Sequence, residues 1–135
     1  MGTQENKAVV SRFMNEVTTG RDTDPDLIDE LLSPDYVNLA MPGADLAAFK
    51  AMTAAMLSVM KDARIDDLEL VAEGDAVLSR FNHSVTLHDG STTTARALAY
   101  YRLADGKIVV NDVMFAPDLL QVLGALMAPP PGTQA

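Results

Sequence analysis

Beyond about Arg64 the apolar residues stop recurring at every third or fourth position and begin to alternate, and that change of period decides the architecture. Four alternating runs follow: Arg64 to Glu73, Ala76 to His88, Thr92 to Leu103 and Lys107 to Phe115. They are separated by the turn signals Gly74-Asp75, Asp89-Gly90-Ser91 and Asp105-Gly106. Connections this short join antiparallel neighbours. The runs therefore predict a meander of four strands.

The chain before them carries helical signals. Ala8, Val9, Phe13 and Val17 recur near the helical period, predicting a helix from Glu5 to Thr19 that Gly20 stops. Asp24-Pro25 is an N-cap followed by a proline at the first helical position, opening a short helix through Leu32 that Ser33-Pro34 ends. Asp35 to Met41 is predicted to be extended. Pro42-Gly43 then turns the chain into a third helix, capped by Asp45 and running to about Lys61. Residues 117–126 are predicted to form a last short helix, and the proline-rich residues 128–135 an extended, disordered tail. Residues 1–127 thus make one α+β domain, in which a curved antiparallel sheet wraps around the N-terminal helices.

Composition narrows the function classes. A chain of 135 residues, 48% of them hydrophobic, suits a single core. The absence of cysteine excludes thiol catalysis and thiolate metal sites, and makes the cytoplasm the expected compartment. A net charge of −9 repels phosphate backbones and anionic lipid, so neither nucleic acid nor a membrane is an expected partner. No uninterrupted apolar run approaches the ~20 residues that span a bilayer. The two histidines, His83 and His88, of which at most one is inward-facing, do not make up a usual zinc set, and no metal site is expected. The ligand these exclusions leave is an organic small molecule; the lipophilic character expected of it comes from the methionine row on the third helix.

Alternation assigns the inner face. In the run from Ala76, the parity Val77, Ser79, Phe81, His83, Val85 is the core set, so His83 points inward and His88 outward. In the next run Ala95, Ala97, Ala99 and Tyr101 share the inner parity, and three alanines in a row leave space. The last run is equally apolar on both parities, so hairpin geometry must decide it. With Asp105-Gly106 as a two-residue turn, Leu103 pairs with Ile108, Tyr101 with Val110 and Ala99 with Asp112, which places Asp112 inside. A β-bulge reverses that placement. Reading Asp89-Gly90-Ser91 as a three-residue loop pairs Phe81 with Ala99 and His83 with Ala97. His83 and Asp112 are then ~12 Å apart, on opposite sides of the alanine gap.

The segments NKAVVSRFMNEV, LIDELLSPDYVN, LVAEGDAVLSRF and YYRLADGKIVVNDV, followed by LLQVLG, resemble the SnoaL-like polyketide cyclases of the nuclear transport factor 2-like superfamily. The resemblance runs from about Asn6 to Gly124. It implies a cone-shaped α+β barrel with a deep apolar pocket, commonly a homodimer built through the outer sheet face, and isomerase- or lyase-type chemistry without a cofactor. In that family a pocket aspartate on the last strand serves as acid and base for an aldol closure, and the residues around Asp112 match its region. The frequent Trp-Asp tract is replaced here by Asn111-Asp112-Val113. The family's histidine has no counterpart: its place falls near Ala99, and Leu39 stands where many relatives carry a histidine after DYVN.

These readings assign candidate roles. Asp112, desolvated in an apolar pocket, is the expected proton acceptor; an aspartate at a bulge, bonded to backbone or solvent, is the plainer account. His83 is the second candidate catalytic group, with a satisfied core histidine as its alternative. Asn38, Tyr36 and Tyr101 are candidate donors to an enolate oxygen. Phe81, Ala99, Met52, Met56 and Met114 are candidate walls, with Phe49, Met60 and Met41 beside them, although a methionine row at helical spacing is also ordinary core. Asp66-Asp67 and the group Asp22, Asp24, Asp26 are solvated turn and edge carboxylates, not spaced as a calcium loop. The leading expectation is an enzyme that cyclises or isomerises a polyketide-like carbonyl compound. A non-catalytic binding protein or dimeric scaffold is the alternative, and an epoxide hydrolase or dehydratase using the same carboxylate is a second one.

Overall fold

The computed structural model describes residues 2–21, 24–41 and 43–116. The helix expected over residues 117–126 and the tail over 128–135 lie outside the described residues, as does Asp22.

Three helices precede most of the sheet. The first, α1 (Thr3–Arg12), continues into a wider π-helical turn over Phe13–Thr18, and together they bury Val10, Phe13, Met14 and Val17. Gly20 closes the segment with φ +70, and a Cβ built there would run into a methyl of Leu57. A left-handed backbone at a close approach is what only glycine meets without strain. Asp24 caps α2 (Pro25–Leu31) by accepting from the Asp26 amide at 2.9 Å, and Asp45 caps α3 (Leu46–Val59) by accepting from the Ala48 amide at 2.9 Å.

The strands are β1 (Leu32–Asn38), β2 (Ala44–Asp45), β3 (Met60–Glu73), β4 (Ala76–Leu87), β5 (Thr92–Ala104) and β6 (Lys107–Ala116). They form one sheet in the order β2-β1-β6-β5-β4-β3. The sheet is curved, open and mixed rather than wholly antiparallel, because β1 runs parallel to β6. β1 begins at Leu32 and includes Ser33-Pro34; proline is tolerated there because the β1–β6 pairing lapses between Leu32 and Val37. The helices lie on the inner face, where Val10, Phe13, Leu31, Leu32, Val77, Ile108 and their neighbours make the core.

Register decides the site. The Asp105-Gly106 turn is as expected, both residues at positive φ, with Ala104 against Lys107 and Leu103 against Ile108. The next pair is Arg102 with Val110, so Val109 has no opposite residue and forms a β-bulge. From there on, Asn111 pairs with Tyr101, Asp112 with Tyr100 and Val113 with Ala99. The β4–β5 ladder pairs Phe81 with Ala97 and His83 with Ala95, two residues from the expected register. The reversal is made by His88-Asp89-Gly90, with Leu87 and Ser91 bonded across it at 2.9 Å. A slip of two preserves which side chains face inward.

Candidate functional site

The bulge at Val109 turns Asp112 to the outer face of the sheet, where it lies beside Tyr100, Leu98 and Met114 in an open groove of about 460 Å³. The expected interior carboxylate is therefore an exterior one. Met114, also expected to line the pocket, is exposed on the same outer face. The cause is the extra residue: one unpaired position in β6 inverts every side chain after it relative to a regular ladder. By strand geometry the α-carbons of His83 and Asp112 are ~20 Å apart, and their side chains leave opposite faces.

Asn111 takes the interior position. It is buried, and its Nδ2 donates to the Tyr36 hydroxyl at 3.3 Å, while its Oδ1 has no hydrogen-bond partner among the described residues. Tyr101, the β5 neighbour of Asn111, is buried as well. Burial pushes the Tyr101 phenol well above its ordinary value, opposed by the Ser79 hydroxyl, which sits nearby without a hydrogen bond of good geometry. Burial also raises Tyr36, against the donation from Asn111. Ser79, Tyr101, Asn111 and Tyr36 come from β4, β5, β6 and β1, which are consecutive in the sheet. They form a polar belt across the inner wall, backed by aromatic rings: Phe49 meets Tyr36 at 5.5 Å and Phe13 meets Tyr101 at 6.1 Å.

Nearer the β4–β5 turn, His83 faces the same interior. Its ring stacks on Phe115 at 6.2 Å and lies 6.4 Å from Phe81, opposite Ala95. Its Nε2 is buried and unpartnered among the described residues. Desolvation holds the imidazolium below the ordinary 6.5, so the ring is neutral at pH 7. His83 and Ser79 stand four residues apart on one face of one strand, ~14 Å between α-carbons. Phe49, Met52, Met56 and Met60 line an apolar cavity of about 80 Å³ with Val17 and Thr18 of the π turn, and His83 is not among its lining residues.

The other candidates sort accordingly. Phe81 and Ala99 are buried on the inner wall. Asn38 is buried too, but its Oδ1 is engaged with the Ala40 amide at 2.9 Å, so it builds the turn that ends β1. Met41 is exposed. Asp66 pairs with Arg64 at 2.6 Å, and Asp67 accepts from Asn82 at 3.0 Å, both exposed. Sequence reasoning missed Asn111 and Phe115 because they belong to the β6 parity that a regular hairpin turns outward. Ser79 was visible on the inner parity but not recognised as part of a belt.

The comparisons fit this architecture. Residues 10–111 match the SnoaL-like domain family, and the chain belongs to it. No curated protein gives a significant sequence match. Among solved structures, the chain is similar to a protein from Jannaschia sp. CCS1 named for the SnoaL-like polyketide cyclases, with 20% identity, TM-score 0.73 and 95% of each chain covered. It is also similar to IdmH from Streptomyces antibioticus, named as a polyketide cyclase, with 19% identity, TM-score 0.69 and 91% of this chain against 99% of that one. A third is an NTF2-like protein of unknown function from Burkholderia pseudomallei K96243, with 18% identity, TM-score 0.69 and coverage of 95% and 100%. At these identities the structural likeness establishes the NTF2-like α+β fold. Among the described residues, no helix is long and apolar enough to cross a membrane.

Proposed function

We propose that this chain catalyses a cofactor-free cyclisation or isomerisation of a polyketide-like, lipophilic carbonyl compound, with His83 in place of Asp112 as the proton-transfer group. The observation that supports this is the buried, neutral His83 ring, whose Nε2 has no partner among the described residues and stands beside the rings of Phe81 and Phe115. Nε2 takes a proton from the carbon beside a carbonyl, the C–H electron pair becomes an enolate, and the imidazolium returns the proton to oxygen or to a new carbon centre. The belt of Ser79, Tyr101, Asn111 and Tyr36 anchors a second oxygen farther along the substrate. The interior cavity is smaller than the ~300 Å³ at the low end of ligand pockets, and the flexible Met52 and Met56 are the wall that yields to a substrate.

The test is deuterium exchange at the carbons alpha to the carbonyl of 2-tetralone, followed by proton NMR, with saturation by the same ketone measured separately. The full chain should accelerate exchange, and His83→Gln should lose about tenfold or more of that rate while still binding the ketone. Equal exchange in the two proteins removes His83 from the reaction. A second reading, a non-catalytic carrier of a lipophilic molecule, is supported by Asn111: the inner position of β6 holds an amide, which cannot accept a proton near neutrality. Retained binding with no exchange in either protein would favour it. The hydrolase or dehydratase alternative relied on the carboxylate that faces outward.

A further inference from the structure

The belt on the inner wall offers more hydrogen-bonding capacity than the chain itself uses. Ser79 is 3% exposed and Asn111 6%, and neither the Ser79 Oγ nor the Asn111 Oδ1 has a hydrogen-bond partner among the described residues. Between them on the sheet stands the buried Tyr101, paired directly with Asn111, ~5 Å away at the α-carbons, and with the Ser79 hydroxyl nearby. Natural cores pair nearly all of their buried polar groups. Unpaired atoms on β4 and β6, either side of one phenol, therefore mark a place where something else supplies the partner. The chemistry of those atoms limits what that is. Asn111 spends its Nδ2 on the Tyr36 hydroxyl at 3.3 Å, so the atom it leaves free is a carbonyl oxygen, which accepts and cannot donate. A ketone, ether or ester oxygen does not satisfy it. Burial keeps the Tyr101 phenol protonated, and because the Ser79 Oγ is unpartnered the phenol proton is not spent there.

We propose that the belt is a hydroxyl-recognition subsite, in which the Asn111 Oδ1 accepts from a phenolic or enolic hydroxyl of the substrate and the Tyr101 hydroxyl donates to the oxygen of that same group. This rests on the carbonyl-compound reading above and names the function at the end of the molecule remote from His83. A hydroxyl gives one hydrogen bond and takes one, which is what an acceptor and a donor on directly paired residues call for. The Ser79 Oγ, on the other side of Tyr101, is a further donor to the same oxygen. Charge excludes the commonest alternative. The buried polar side chains among the described residues are Asn, Thr, Ser and His, with no Lys or Arg, so a carboxylate brought to the belt is desolvated without a cation to pair with. Asn111 thus selects among substrates, and this role is independent of the proton transfer assigned to His83.

Fluorescence titration of the full chain with 2-naphthol, its methyl ether and 2-naphthoate tests this; the chain lacks tryptophan, so naphthalene emission is read without interference. Wild type should bind 2-naphthol about tenfold more tightly than the ether, which has no proton to give Asn111, and at least tenfold more tightly than the naphthoate. In Asn111→Leu, similar in shape, the naphthol-to-ether ratio should fall close to one. Ser79→Ala, a milder change, should reduce that ratio severalfold, and circular dichroism confirms the fold of each variant. Equal binding of naphthol and ether by wild type overturns the subsite, as does a preference that survives both substitutions; naphthoate bound as tightly as naphthol overturns its neutrality. Because the readout is binding, it does not pass through His83. A chain that prefers naphthol in this way yet exchanges no ketone protons upholds the subsite and refutes only the reaction.

Discussion

Asn111→Asp and Asp112→Asn are neighbouring, nearly isosteric substitutions with opposite expected consequences. Asn111 is 6% exposed, with Tyr36 as its sole side-chain hydrogen-bond partner among the described residues. A carboxylate there loses most of its hydration and gains at best the Tyr36 hydroxyl as a donor. Buried carboxyls of this kind rise by ~2–3 units, which at 1.36 kcal/mol per unit costs about 3–4 kcal/mol of stability at pH 8. The direction with pH follows from proton binding. Between the unfolded value of ~3.9 and the raised folded value, the native state holds a proton that the unfolded state has released, so stability falls as pH rises through that window. Below ~4 both states are protonated and the cost disappears. Asp112→Asn, on the outer face, should change the unfolding free energy of dilute protein by less than about 1 kcal/mol. The assay is urea denaturation followed by far-ultraviolet circular dichroism at pH 4.5 and pH 8, each variant against wild type; the chain lacks tryptophan, so helix and sheet signals are the better probe. A pH-flat Asn111→Asp with wild-type stability would refute the inward placement of Asn111 and with it the bulge.

Three further outcomes follow from particular side chains. Ketone exchange by His83 should hold level across neutral pH and fall on acidification only below 6.5, because desolvation lowers this imidazole; in parallel the unfolded chain takes up the proton first, so wild type loses stability relative to His83→Gln as pH drops below 6.5. Gly20→Ala places a side chain at φ +70 against Leu57 and should cost more than about 1 kcal/mol in thermal unfolding, with the rest of the fold retained. Asp45→Ala removes the side-chain acceptor of the Ala48 amide and should cost about 1 kcal/mol, read as a lower urea midpoint with an unchanged slope.

Local chemistry was legible in the sequence wherever one residue type has a narrow set of conformations. The caps at Asp24 and Asp45, the stop at Gly20 and the turn at Asp105-Gly106 all stand where their side chains and backbone preferences place them. The facing of β4 and β5 was legible because their two parities differ sharply in polarity; even a loop misread by two residues left His83, Phe81 and Tyr101 inside. β6 was not legible. Ile108, Val110 and Met114 compete with Val109, Val113 and Phe115 on equal terms, so no burial energy separates the two facings. The irregular step at Val109 left no mark in the residue types. Parallel pairing of β1 with β6 was hidden for a similar reason: it joins segments seventy residues apart, and pattern within a strand says nothing of its neighbour.

Val109 has no opposite number on β5, and where along β6 that surplus is taken up decides what the chamber contains. Were the kink to travel toward the end of β6, each rung it passed would invert: Asp112 and Met114 would look in, Asn111 and Phe115 out, with no change of a single amino acid. The Tyr36 phenol gripping the Asn111 amide, and the left-handed turn close beside the kink, act as a clasp at the strand's root. Alignment thus governs this interior as firmly as composition does, for the same letters slid by one would line it with acid.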